Sequence, residues 1–142
     1  MMAYPSEDFV TYLEQQGIGH RMSDLFTSAD AGAYDTRPLA VVIRESPSTK
    51  APEVTEDVDY TTLGITVSGA YGQEGERTTV DMADRIYRAL RLLMDVSIDG
   101  TLYLSVKADT PPTHAGFDEF GRSVYEISVS IIRYLGVNNY GD

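Results

Sequence analysis

Tyr60-Thr61-Thr62-Leu63-Gly64-Ile65-Thr66-Val67-Ser68 alternates apolar and polar side chains. Successive side chains of a strand point to opposite faces. Leu63, Ile65 and Val67 therefore share one face, and Thr62, Thr66 and Ser68 share the other. Such a strand belongs to a sheet with one covered face and one wet face, the habit of antiparallel sheets. Something amphipathic must supply the cover.

Downstream, Gly69, Gly72 and Gly75 read as the connection to a helix over residues 78–94. Val80, Ala83, Ile86, Tyr87, Leu90, Leu93 and Met94 recur at the helical period and form one stripe. Asp81 with Arg85, and Asp84 with Arg88, are i,i+4 pairs worth about 0.2–0.5 kcal/mol each. Burying the stripe matters more, at about 1.5–3 kcal/mol per large side chain. Val96-Ser97-Ile98 then meets Asp99-Gly100, a type I′ hairpin signal. Residues 101–106 return as a strand, with Leu102, Leu104 and Val106 expected in register. Residues 109–122 hold Pro111, Pro112, Gly116 and Gly121 and read as a second long loop. Tyr125, Ile127, Val129 and Ile131 alternate with Glu126, Ser128 and Ser130, so residues 123–134 form the last strand. The tail from Gly136 reads as frayed.

Upstream, Leu39-Ala40-Val41-Val42-Ile43-Arg44 is a buried strand by its β-branched run. Residues 46–57 carry Pro47 and Pro52 and read as a long mobile loop. Leu25-Phe26 is a short strand, followed by a loop over residues 30–38. Pro5-Ser6-Glu7-Asp8 opens the first helix, with Ser6 as the expected cap and two acids at the positive end of its dipole. Phe9, Val10, Tyr12 and Leu13 are its apolar stripe, and Gly17 ends it. The expected fold class is α+β: a mostly antiparallel β-sheet with two α-helices packed on one face. It is expected to form one domain over residues 1–142.

The chain has 142 residues, 42% of them hydrophobic and 23% charged, proportions of a globular protein rather than a disordered one. Its net charge is −11. That argues against tight binding to phosphate backbones, which basic patches drive by counterion release. No apolar run is long enough for a membrane helix, and residues 1–6 lack the pattern of a secretory leader. Cysteine is absent, which excludes thiol catalysis, cysteine zinc sites and disulfides.

Chemistry-bearing patterns are sparse. His20 and His114 are the two imidazoles, and neither sits in a metal-ligand motif. Glu53, Glu56, Asp57 and Asp59 form an acidic run that lacks the spacing of a calcium loop. A metal-dependent hydrolase using Asp57, Asp59 or His114 is the competing enzymatic reading. A solvated or partner-binding loop is the plainer one. The stretch from Gly69 to Gly75 joins a strand to a helix but lacks the Lys-Ser/Thr of a phosphate loop. Tyr occurs 10 times, while Trp is absent. Tyr4, Tyr34, Tyr71 and Tyr140, with Phe117 and Phe120, fall in loops or near ends. There they either fold back on the domain or serve protein–protein contact.

The segment order as a whole resembles a known family. It comprises the helix ending in Gly17-Ile18-Gly19, the strand from Asp59 to Gly69, and the helix containing Ala83-Asp84-Arg85-Ile86-Tyr87-Arg88-Ala89-Leu90. Ile98-Asp99-Gly100-Thr101-Leu102-Tyr103-Leu104 comes next, and Asp118-Glu119-Phe120-Gly121-Arg122 leads into the last strand. This order is similar to that of the bacteriophage minor capsid and tail terminator proteins of the neck. The resemblance covers residues 6–134. It implies a non-enzymatic virion protein, assembled in the host cytoplasm, without cofactor or metal. It implies a hexameric ring of identical subunits that stops tail-tube polymerisation and meets the head connector or head-closure protein. DNA would pass through without specific binding, and no membrane is involved. A head-closure or tail-tube subunit of the same particle is the nearest alternative. The residues expected at subunit or partner contacts are Glu53, Glu56, Asp57, Phe117 and Phe120.

Overall fold

Leu63, Ile65 and Val67 lie buried on one face of strand β3 (Val58–Gly69), as their alternation requires. The computed structural model describes residues 4–30, 32–34, 37–46, 58–70 and 72–134, with residues 73 and 74 as backbone only. In chain order the elements are α1 (Pro5–Gln15), β1 (Leu25–Thr27), β2 (Leu39–Ser46), β3, α2 (Gln73–Leu90), β4 (Leu92–Ile98), β5 (Thr101–Ala108), β6 (Thr113–Phe117) and β7 (Ser123–Tyr134).

The strands form one sheet in the order β1-β2-β3-β7-β5-β4. β1 pairs parallel with β2, and the other pairings among the described strands are antiparallel. The register stacks Ile43, Ile65 and Ile127 across three strands, a row of β-branched side chains that suits a pleated surface. β7 is the hub. β5 pairs with its C-terminal half and β6 with its N-terminal end, both along the same side.

Both helices cover one face, and the α+β class expected from the sequence is the observed one. Phe9, Val10 and Leu13 of α1 and Met82, Ala83, Ile86 and Leu90 of α2 join the inward residues of β1, β2, β3, β5 and β7 in a single apolar cluster. The opposite face holds a small second cluster of Phe26, Ala40 and Val42 beneath Ala33 and Tyr34. Elsewhere it is polar. Arg44 donates to the Thr66 hydroxyl at 2.8 Å, and Ser128 and Ser130 donate to Asp109 at 3.1 and 2.9 Å.

Two glycines set how closely α2 approaches the sheet. A Cβ on Gly69 would stand 1.7 Å from Thr79 Oγ1, and one on Gly75 would stand 2.1 Å from the Ala70 carbonyl oxygen. Gly75 is therefore part of the first turn of α2 and not of a linker. The hairpin between β4 and β5 is the expected one, with φ of 49° at Asp99 and 84° at Gly100, the positive values that a type I′ turn needs.

The structure corrects several expectations. α2 begins earlier and stops before Leu93 and Met94, which belong to β4. Ladder pairing of β4 with β5 outweighs a helical period that continues past Leu90. Val80 stands partly exposed instead of joining the buried stripe. In β5 the buried residues are Tyr103, Val106 and Ala108, with Leu102 and Leu104 only half-buried. A bulge against β7 between Tyr103 and Ser105 shifts the phase by one residue. The loop over residues 109–122 contains the strand β6. Ser6 does not cap α1. Its own amide donates to Glu45 Oε2 at 2.6 Å, so a carboxylate at the end of β2 serves the helix start, with Pro5 in the first turn. On α2, Arg88 pairs with Asp84 at 3.0 Å, whereas Arg85 donates to the Gly17 carbonyl at 3.2 Å. Residues 47–57 and the tail from Gly136 lie outside the described residues.

Candidate interaction site

The hairpin joining β6 to β7 is built around one carboxylate. Asp118 Oδ1 accepts the amides of Phe120 at 3.0 Å and Arg122 at 2.9 Å, and Oδ2 accepts Arg122 Nε at 2.8 Å. Desolvation alone would raise the Asp118 pKa. The Arg122 amide, its guanidinium and its charge, with the Phe120 amide, outweigh this and hold the carboxyl below its ordinary value. Gly121 takes a positive φ of 77° and closes the turn. Arg122 also donates to the carbonyls of Tyr34 and Arg37, each at 2.9 Å, so the hairpin tip is tied to the segment before β2.

This rigid tip presents the two aromatic residues expected at contacts, Phe117 at 57% exposure and Phe120 at 50%. They do not form one patch. Phe117 is paired with Ser123, whose side is the helix-covered face, and its ring meets His114 at 5.6 Å. Phe120 lies under the Arg122 guanidinium at 5.5 Å. With Tyr34, Ala40 and Val42 it lines a shallow concavity of about 340 Å³ on the opposite face. Glu53, Glu56 and Asp57 lie outside the described residues.

His114, Ser123 and Asp59 each have partners in the fold. His114 Nε2 is 3.1 Å from Ser123 Oγ, and its ring packs against Tyr125 at 5.0 Å. Ser123 is fully buried, so its hydroxyl is not open to a substrate. Asp59 takes a 2.7 Å ion pair from Arg133 and a hydrogen bond from Thr61. Among the described residues, no three His, Asp or Glu side chains come together to hold a metal ion. Of the peripheral aromatics, Tyr34 folds back onto Phe26 at 5.7 Å and Tyr4 stands exposed. Tyr71 and Tyr140 are outside the described residues.

Two surfaces escaped the reading of the sequence. The first is the outer edge of β4, where Leu92 is 61% and Met94 63% exposed. β4 is the last strand in the sheet order, so its outer backbone has no strand beside it among the described residues. The signal was Leu92-Leu93-Met94, three apolar residues that a strand cannot bury on one face. The second is a groove of about 680 Å³ beside α2, lined by Glu76, Val80, Asp81, Asp84, Pro112 and Tyr125 among others. Tyr125 donates its phenol proton to Glu76 Oε1 at 3.0 Å, and burial followed by this carboxylate pushes the phenol pKa up.

No protein-family model matches the chain, and no curated protein matches it either. No helix among the described residues is long and apolar enough to cross a membrane.

Proposed function

We propose that the protein is a structural subunit of a phage neck, a tail terminator. On this reading copies close into a hexameric ring, stop growth of the tail tube and offer a face to the head connector. The observation that carries the reading is the presence of two unlike apolar surfaces on one small domain. One is the open edge of β4 with Leu92 and Met94, and the other is the pinned hairpin, which carries Phe117 on the helix-covered side and Phe120 on the opposite one. Head-to-tail contact between identical subunits requires two different complementary surfaces, and it closes into a ring when the rotation is right. The helix and strand order supports the reading, because it is the order in which the sequence resembles the terminator family. The net charge of −11 suits a channel through which DNA slides with few phosphate contacts.

Electron microscopy of particles made without this protein tests the assignment. Overlong tails are expected. Filled heads that leak would move the protein to head closure, and missing tubes would make it the tube subunit.

A further inference from the structure

β6 extends the sheet past the cover that α2 gives. His114 and Phe117 pair with Tyr125 and Ser123 and so share their side of the sheet, yet they remain exposed, because α2 packs over β7, β3 and β5. A groove of about 680 Å³ lies beside α2, with Tyr125 of β7 and Pro112 in its lining, within the volume range of binding clefts. Its helical wall runs from Glu76 to Asp84, about 12 Å at the helical rise, the span of about four residues of extended chain. The apolar part of the lining comes from Val80 and Ala83 of the helix and from Pro112 and the ring of Tyr125.

The charge of the lining is lopsided, with Glu76, Asp81 and Asp84 against Arg77. Asp84 is engaged by Arg88, whereas Asp81 has no ion-pair partner among the described residues. Glu76 is half satisfied. Its Oε1 accepts Tyr125, and its Oε2 is shut from solvent with no hydrogen-bond partner. A buried acceptor left without a donor is costly, and a donor brought by a ligand removes the cost. The terminal torsion of a glutamate is broad, so a turn of the carboxylate that keeps Oε1 near Tyr125 brings Oε2 toward an incoming cation. A chain of net charge −11 repels acidic segments and attracts basic ones.

We propose that the groove between α2 and the Pro112 and Tyr125 side chains binds a short extended segment of a partner protein in which arginine alternates with apolar side chains. The apolar side chains seat on Val80, Pro112 and Tyr125, and a guanidinium completes Glu76 and Asp81. The proposal stands on the groove itself and does not depend on the neck reading.

A synthetic Leu-Arg-Leu-Arg-Leu peptide with blocked ends is the probe, followed by amide chemical shifts of the full chain at physiological salt. Shifts are expected at Glu76, Val80, Asp81 and Tyr125, with binding weakened at least about tenfold by Glu76→Gln and by Val80→Arg. Val80 is exposed, so its replacement leaves the fold intact, and circular dichroism checks both variants. Glu119→Gln, at the exposed hairpin tip, should bind the peptide as the parent does. Equal weakening by Glu119→Gln, equal binding of a peptide with serine for leucine or glutamate for arginine, or no shift at the groove up to about 1 mM overturns the proposal. A fall in the protein's own mass on Val80→Arg without peptide would assign the groove to a second copy of the chain and equally overturn it.

Discussion

The phenol of Tyr103 donates a 2.5 Å hydrogen bond to Oδ2 of Asp8, joining β5 to α1 across 95 positions of sequence. Both side chains are buried, and the Tyr103 ring also meets Phe9 edge-on at 5.0 Å. The contact locks the first helix to the far half of the sheet. Desolvation dominates the Asp8 carboxyl, partly offset by the Tyr103 bond, with Asp99 and Glu7 opposing Arg133. The outcome is a raised pKa.

Tyr103→Phe keeps the ring and its packing but strips Asp8 of its donor. A buried acceptor without a partner costs about 1–3 kcal/mol, so the urea midpoint at neutral pH should fall accordingly. A loss below about 0.5 kcal/mol would show that the hydroxyl contributes little to docking α1.

The raised Asp8 pKa fixes the sign of a pH effect. Its contribution is fully present below the ordinary aspartate value of 3.8 and is lost as pH rises through the higher folded value. Asp8→Asn has no proton to exchange there. The stability of the parent relative to Asp8→Asn should therefore rise as pH is lowered from neutral through that window, because other carboxylates cancel in the difference. Denaturant melts of the two proteins at neutral and mildly acid pH read it directly, and a gap that widens in the other direction contradicts the burial argument.

At the hairpin tip the direction is reversed. Asp118 is held below its ordinary value, so its contribution is present above 3.8 and lost as pH falls through the depressed folded value. Arg122→Ala removes the ion pair and both carbonyl contacts to the segment before β2. It should cost about 2–3 kcal/mol. Arg122→Lys should recover only part, since an ammonium cannot bridge Asp118 and two carbonyls in one plane. Equal stability of the lysine variant and the parent would remove the planar fork from the explanation.

Gly69→Ala should be among the most disruptive single methyl additions, because its Cβ would overlap the Thr79 side chain. The expected cost is about 3 kcal/mol, at the upper end for overpacking. Thr79→Gly in the same chain should relieve the clash, while losing a buried side chain and its 2.7 Å bond to the Gly75 carbonyl on top of the helix cost of glycine, about 1 kcal/mol relative to alanine. Thermal melts of the singles and the double close the cycle, and purely additive losses would place the strain elsewhere.

What the sequence discloses follows from where the information sits. β3, β7 and the Asp99-Gly100 turn were legible because period-two alternation and turn chemistry are local properties. The end of α2 was not, since Leu93 and Met94 continue the helical period and only the ladder to β5 assigns them to a strand. β6 was hidden for the same reason. Thr113-His114-Ala115-Gly116-Phe117 shows no alternation, and it becomes a strand by pairing with β7 once the chain has turned at Gly121. Phe117 and Phe120 stood out as aromatics in a polar loop, but their placement on opposite faces depends on register. The groove was not legible at all, because it arises from how far α2 reaches across the sheet.

In the proposed role the protein works by self-association and docking. The direct measurement is its mass in solution and on purified tail tubes, by sedimentation and by imaging of tube ends. Assemblies that are multiples of the 15.6 kDa chain are expected, seated at one end of the tube and lost when Leu92, Met94, Phe117 or Phe120 is replaced by serine. A strict monomer that binds neither tube ends nor connectors, with those replacements changing nothing, contradicts it.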